Sequence, residues 1–180
     1  RVIVLTGVGF GVIADFFGIQ DPSFTGGARA AIGDMNGDGF GELIVAAGFG
    51  GGPRVTIWDG VAVAGAGGFT PAGNPLSNFF AFEESLRNGC FVAAGDVNGD
   101  GFADLILGGG PGGGPRVRIA DGLALLNATN FVSLDQRLDL QIGNFFAGDP
   151  NSRGGVRVAA KNLDGDGLAA AVAGDGIGAG

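Results

Sequence analysis

The residues best placed to do chemistry are three short oxygen-rich segments. Gly33-Asp34-Met35-Asn36-Gly37-Asp38-Gly39-Phe40 recurs as Gly95-Asp96-Val97-Asn98-Gly99-Asp100-Gly101-Phe102, with a looser copy at Lys161-Asn162-Leu163-Asp164-Gly165-Asp166-Gly167-Leu168. Counted from the first acid, the first segment offers Asp34, Asn36 and Asp38 at positions 1, 3 and 5. The Phe40 carbonyl follows at position 7 and Glu42 at position 9. The second offers Asp96, Asn98, Asp100, the Phe102 carbonyl and Asp104. Alternate spacing turns the side chains toward one centre, and Gly39 and Gly101 at position 6 permit the sharp turn. A hard divalent cation that takes six to eight oxygens suits such a loop, so calcium is the expected ligand. Three carboxylates within nine residues repel one another unless a cation is present. The third segment keeps Asn162, Asp164, Asp166 and the Leu168 carbonyl but has Ala170 at position 9. Two calcium sites are therefore expected, with the third weak or absent.

The surroundings of these segments distinguish them from other acidic loops. An EF-hand needs a carboxylate at position 12 and helices on both flanks. Here position 12 is Val45 or Leu107, and Leu43-Ile44-Val45 and Leu105-Ile106-Leu107 read as strands. Tandem glycine-aspartate nonapeptides of the β-roll kind are also excluded, because the copies stand 62 and 66 residues apart.

Other chemistry is missing. The chain has no histidine and no tyrosine, which excludes imidazole triads and imidazole zinc sites. Cys90 takes the place of Ala28 and Val156 in the sister units and reads as a small buried strand residue. Gly7-Val8-Gly9-Phe10-Gly11 and Gly108–Pro115 lack the Lys-Ser/Thr of a phosphate loop and read as turns. No enzyme is expected. Trp58 and the pairs Phe16-Phe17, Phe79-Phe80 and Phe145-Phe146 are expected to pack between repeats.

The elements that must hold the loops form a repeat. The three phenylalanine pairs precede the loops by 17 or 18 residues, and Gly27, Gly89 and Gly155 stand seven before them. Arg1-Val2, Arg54-Val55 and Arg116-Val117 each open an apolar run that ends at Thr6-Gly7, Asp59-Gly60 or Asp121-Gly122. The units are drawn at 1–53, 54–115 and 116–180 within one array spanning 1–180. In the second unit the strands are placed at Cys90–Gly95, Asp104–Leu107, Arg116–Ala120 and Gly143–Phe146, with a helical turn at Asp121–Leu126. The third connection lengthens from Gly7–Ala14 through Val61–Asn78 to Leu123–Ile142.

Composition agrees with an all-β fold. There are 40 glycines where an average chain of this length has about 13. No three-residue period accompanies them, and 46% of residues are apolar, which excludes collagen and disorder. Four strands in about 60 residues fit a β-propeller-type blade better than a solenoid coil. The cut gives two whole blades and two half blades. These are expected to complete one another, to be completed by another chain in a ring or filament, or to belong to a longer array.

Acidic residues outnumber basic ones 18 to 10 for a net charge of −8, so nucleic acid is not an expected partner. No apolar stretch is long enough for a membrane helix, and no membrane insertion is expected. One cysteine allows no internal disulfide, which leaves metal as the available staple. The opening Arg1-Val2-Ile3-Val4 has no signal-peptide layout and no initiator methionine, as expected of a mature product or a fragment.

The run Ala93-Ala94-Gly95-Asp96-Val97-Asn98-Gly99-Asp100-Gly101-Phe102-Ala103-Asp104-Leu105-Ile106-Leu107-Gly108, followed by Gly109-Gly110-Pro111, resembles the FG-GAP or VCBS-like repeats. These build the propeller blades of integrin α-subunits and occur in large bacterial surface proteins. The resemblance implies blades with calcium in the hairpin loop between first and second strands, on the residues named above. It departs at the Gly48–Pro53 segment, at Ala170 and in blade count. The expected function is an extracellular or cell-surface structural or adhesion module. Its expected partners are further copies of itself, other surface proteins or glycans. A lectin-like propeller and a non-catalytic accessory domain of a secreted protein are the alternatives.

Overall fold

In the computed structural model, which describes residues 1–21, 23–65, 69 and 74–176, the repeat becomes antiparallel sheets. Strands β1 (Val2–Leu5) and β2 (Val12–Phe16) pair as a two-stranded sheet. The first whole blade is β3 (Ala28–Gly33), β4 (Glu42–Ala47), β5 (Arg54–Trp58) and β6 (Ser77–Phe80), with helix α1 (Gly60–Ala64) after β5. The second is β7 (Cys90–Gly95), β8 (Asp104–Gly109), β9 (Arg116–Ala120) and β10 (Gln141–Phe146), with α2 (Gly122–Asn127) after β9. A last pair, β11 (Val156–Lys161) and β12 (Ala170–Asp175), forms a separate two-stranded sheet whose β11 packs against the second blade. Two whole blades and two halves are thus what forms. The two halves do not complete one another within the chain, because β1–β2 and β11–β12 are separate sheets.

Each blade is a meander in chain order. After its opening acid, its second strand is apolar: Glu42-Leu-Ile-Val-Ala-Ala and Asp104-Leu-Ile-Leu-Gly-Gly are buried at every position. A strand covered on both faces needs no polar alternation. The outer strand is held by a contact that recurs in each copy. The first arginine of the third strand donates to the fourth: Arg54 to Asn78 (2.7 Å), Arg116 to Asn144 (3.0 Å) and Arg1 to Asp15 (2.8 Å).

The core lies between blades. Ile44, Val55, Ile57 and Phe79 of the first meet Cys90, Leu105, Leu107 and Leu125 of the second. Val2, Phe16, Val45 and Trp58 join β1–β2 to the first blade, with Trp58 edge-on to Phe16 at 5.8 Å. Phe16, Phe79 and Trp58 therefore pack as expected. Phe17, Phe145 and Phe146 do not: all three are exposed. Successive residues of an extended chain face opposite ways, so the second member of a pair turns from the face its neighbour buries, and Phe145 has only a half blade after it. Cys90 is fully buried, and burial pushes its thiol up to about 12. Of the long connection Val61–Asn78, residues 66–68 and 70–73 lie outside the described residues.

Arg118 stands where the sister strands carry Thr56 and Ile3. Its side chain is 0% exposed, donates to the Ala81 carbonyl at 2.8 Å and pairs with Asp135, while its Nε finds no partner. Removing Asp135 leaves this cation buried without a counter-ion, whereas removing Arg118 leaves a carboxylate that water already reaches. Asp135→Ala is expected to cost about 1–3 kcal/mol, and Arg118→Met to stay within about 1.5 kcal/mol of the parent. Urea denaturation midpoints that reverse this order would contradict the assignment.

Candidate metal centres in the hairpin loops

The three oxygen-rich segments form the turns between first and second strands: β3–β4, β7–β8 and β11–β12. Each turn is organised by its own side chains. Asp34 spans the first, with Oδ1 accepting from Gly37 N (2.7 Å) and Oδ2 from Gly39 N (2.9 Å). Asp96 does the same for Gly99 (2.6 Å) and Gly101 (2.9 Å). Asn36 and Asn98 accept from the N–H of Asp38 and Asp100, and those aspartates accept from Phe40 and Phe102. Gly39 and Gly101 sit at φ of 86° and 89°, a region that other residues enter at a cost.

Position 9 closes the turn. Glu42 and Asp104 are each 0% exposed. Glu42 accepts from Met35 N at 2.8 Å; Asp104 accepts from Val97 N at 2.9 Å and from Gly122 N at 3.2 Å. Burial pushes both carboxyls above the usual carboxylate range against these N–H bonds, and the neighbouring Asp38 and Asp100 push the same way.

The carboxylates that converge are not all local. Oxygens of Asp38, Glu42 and Asp59 lie within 4.8 Å of one another, as do those of Asp100, Asp104 and Asp121. Asp59 and Asp121 were missed as site residues and read only as turn residues. Each caps the short helix after the third strand: Asp59 accepts from Val61 N (2.8 Å) and Asp121 from Ala124 N (2.8 Å). Strand register brings them in. Leu43 pairs with Trp58 and Leu105 with Ala120, so the next residues, Glu42 with Asp59 and Asp104 with Asp121, stand side by side. The signal lay in the sequence as an Asp-Gly repeated 62 residues on.

Asp34 and Asp96 lie outside these two clusters, with both oxygens turned to backbone N–H groups. Asn36 Nδ2 donates to Asp38 (3.1 Å) and Glu42 (3.2 Å), directing an amide dipole into the first cluster. None of the four ion pairs among the described residues involves a carboxylate of either cluster. The centres are concentrations of hard oxygen with no protein cation, a donor set that fits a divalent metal ion. The third turn has Asn162 and Asp166 in the same local bonds but Ala170 at position 9, and it forms no such cluster among the described residues.

Successive turns are bonded in series. The Asp34 carbonyl accepts from Ala103 N (2.8 Å), and the Asp96 carbonyl accepts from Ala169 N (2.6 Å). Phe102 covers Gly37 and Leu168 covers Gly99 in the preceding turn.

Fold and site together define a tandem array of four-stranded β-blades with an oxygen-rich turn at one end of each. Residues 34–107 match the family model of the FG-GAP-like repeat, a stretch running from the first acid of one turn into the second strand of the next blade. This segment carries an FG-GAP-like repeat, and the chain is a propeller-type blade array. No curated protein sequence matches the chain.

Proposed function

We propose that this chain is a calcium-binding structural or adhesion module of the extracellular space or cell surface, acting by binding rather than by catalysis. The observation that carries this reading is the convergence of three carboxylates at each of two turns with no cationic side chain beside them. Bound calcium supplies the compensating charge. Asp38, Glu42 and Asp59 would hold it at the first centre, and Asp100, Asp104 and Asp121 at the second. The Phe40 and Phe102 carbonyls are further oxygens of the same turns, and the Asn36 and Asn98 amides, whose Nδ2 groups face Asp38 and Asp100, would turn their oxygens inward to join them. Through Asp59 and Asp121 each centre joins the hairpin to the third strand, and the bonds between turns link one centre to the next blade. Oxygen sites of modest affinity fill where free calcium is plentiful, which favours an exported protein.

Calcium titration of EDTA-treated protein, followed by calorimetry and thermal melts, tests this. Two equivalents are expected to bind. At a hundredfold excess over Kd, each site adds about 2.7 kcal/mol, or about 5–10 °C in a chain of this size. No heat and no shift in melting temperature would end the proposal.

A second reading, glycan binding, is favoured by a cleft of about 240 Å³ in which Phe80 stands beside Arg54, Glu84 and Arg87. Absence of binding on a glycan array with calcium present would count against it.

A further inference from the structure

We propose that the cleft beside Arg54 is a subsite for an acidic sugar, a hexuronate whose carboxylate Arg54 and Arg87 hold, which rests on the glycan reading of that cleft and adds the charge of the sugar. The two whole blades build the same place from different side chains. In the second blade the place is full. Arg116, at the start of β9, donates from Nε to Asn144 and pairs through Nη1 with Glu83 at 3.1 Å. Arg118, two residues on, is buried, with its guanidinium 5.3 Å from the Phe82 ring and bonded to the Ala81 carbonyl. In the first blade Thr56 stands for Arg118, and Gly18, Ile19 and Gln20 stand for Ala81, Phe82 and Glu83. Each of the four is smaller or lacks the charge. What Arg118 fills in one blade is, in the other, part of a cleft of about 240 Å³ lined by Ile19, Gln20 and Thr56.

The first blade keeps the arginine and loses its counter-ion. Arg54 donates from Nε to Asn78 at 2.7 Å, as Arg116 does to Asn144, but Gln20 brings only a neutral amide, which accepts from Asn78 Nδ2 at 3.4 Å. Arg87, from the connection after β6, lines the same cleft, and its Nη1 donates to the Glu84 and Leu86 carbonyls. Among the described residues neither arginine forms an ion pair. The acids at the cleft are engaged elsewhere or stand free of the arginines: Asp21 accepts from Ser23 N and Oγ at 3.0 and 2.6 Å, and Glu84 pairs with neither. Two uncompensated guanidinium groups therefore share one cleft in a chain of net charge −8. The second blade shows the anion that fits, a carboxylate on the arginine Nη1, and a planar guanidinium matches that geometry.

The remaining walls suit a sugar ring. Phe80, with the Arg54 guanidinium 5.8 Å from its centre, and Phe24 offer aromatic carbon to the C–H face of a pyranose, and the Glu84 carboxylate can accept from ring hydroxyls. Gly52 keeps the walls apart: a Cβ there would stand 3.3 Å from the Phe80 ring and 3.7 Å from Arg87 Nη1. At about 240 Å³ the cleft is smaller than the roughly 300–1,000 Å³ of sites for drug-sized ligands, so it takes one ring rather than a length of chain.

Arg54 opens β5 and Asp59 follows its other end, about 16 Å along the strand, so titrations with calcium and with EDTA keep this test apart from the metal reading. NMR chemical-shift titrations with methyl β-D-glucuronide, methyl β-D-glucoside and acetate compare acid, ring and carboxylate. The glucuronide is expected to bind at least about 10-fold more tightly than either of the others. Gln20→Glu restores the carboxylate that the second blade carries, at an exposed site and with no change of size. It is expected to weaken glucuronide binding at least about 10-fold and to leave the glucoside as it was. Arg54→Gln is expected to do the same, and Arg116→Gln, outside the cleft, to bind as the parent does. Glucoside binding as tight as glucuronide binding would overturn the proposal and leave the glycan reading standing. Acetate binding as tight as glucuronide binding, or no binding of either sugar, would overturn both. Glucuronide binding indifferent to Gln20→Glu and Arg54→Gln would place the acid elsewhere and overturn the proposal alone.

Discussion

Asp104→Ala is expected to lower stability by about 3–5 kcal/mol before any metal is added, a large share of what a domain of this size possesses. The carboxylate is fully buried and accepts from Val97 N, Asn98 N and Gly122 N. These three donors belong to the start of the hairpin turn and to the start of α2. Truncation leaves them without an acceptor in a place water reaches poorly, and each buried unpaired donor costs about 1–3 kcal/mol. Asp104→Asn keeps the volume and one carbonyl oxygen, so about 1–2 kcal/mol is expected. The two variants diverge from the parent again when calcium is added. Both lose a carboxylate of the second centre while leaving Asp38, Glu42 and Asp59 intact, so the calcium-dependent rise in melting temperature should fall by about half. Thermal melts of the three proteins in EDTA and in calcium measure both effects. A parent-like calcium increment in Asp104→Asn would show that the second centre is not where the ion binds.

The double duty of Asp104 also marks how far the sequence is legible. The strands could be placed because the apolar runs and the glycine-rich turns alternate in step. Cys90–Gly95 and Arg116–Ala120 form as read, β8 extends two residues beyond Leu107 and β10 starts two before Gly143. The helical turn read at Asp121–Leu126 forms as Gly122–Asn127 with Asp121 as its cap. Its counterpart α1 lay within the connection read as Val61–Asn78, where two valines in Gly60-Val-Ala-Val-Ala weaken the helical signal. The local ligand spacing was legible because it lies within one turn. Asp59 and Asp121 were not, since they reach the carboxylates through β-sheet register 17 residues downstream, and a one-residue slip would have sent them to the other face. Burial of Arg118 was equally hidden: its strand position carries threonine or isoleucine elsewhere, and only the long connection after α2 brings Asp135 across to pair with it.

Gly89→Ala is expected to be as damaging as the loss of Asp104, for a reason that lies between blades rather than within one. Gly89 has φ of 65°, and a Cβ there would lie 1.9 Å from the Ala47 carbonyl oxygen and 2.6 Å from that of Gly48. Both obstacles are backbone at the end of a buried second strand, so no rotamer change relieves them. Either β7 moves off β4, loosening the shared core around Ile44, Cys90 and Leu107, or β4 itself bends. The positive φ alone costs about 1 kcal/mol for alanine, and the enforced separation is expected to bring the total above about 3 kcal/mol. Gly27 is the internal control. Its φ is 78°, yet a Cβ there meets nothing within 4 Å. Gly27→Ala should therefore cost only the backbone part, about 1 kcal/mol. Urea midpoints of the two variants separate strain within a turn from the close approach of one blade to the next. Equal losses would mean that the glycine at this point of the repeat serves the turn alone, and that the blades are not held apart by the width of a single missing methyl group.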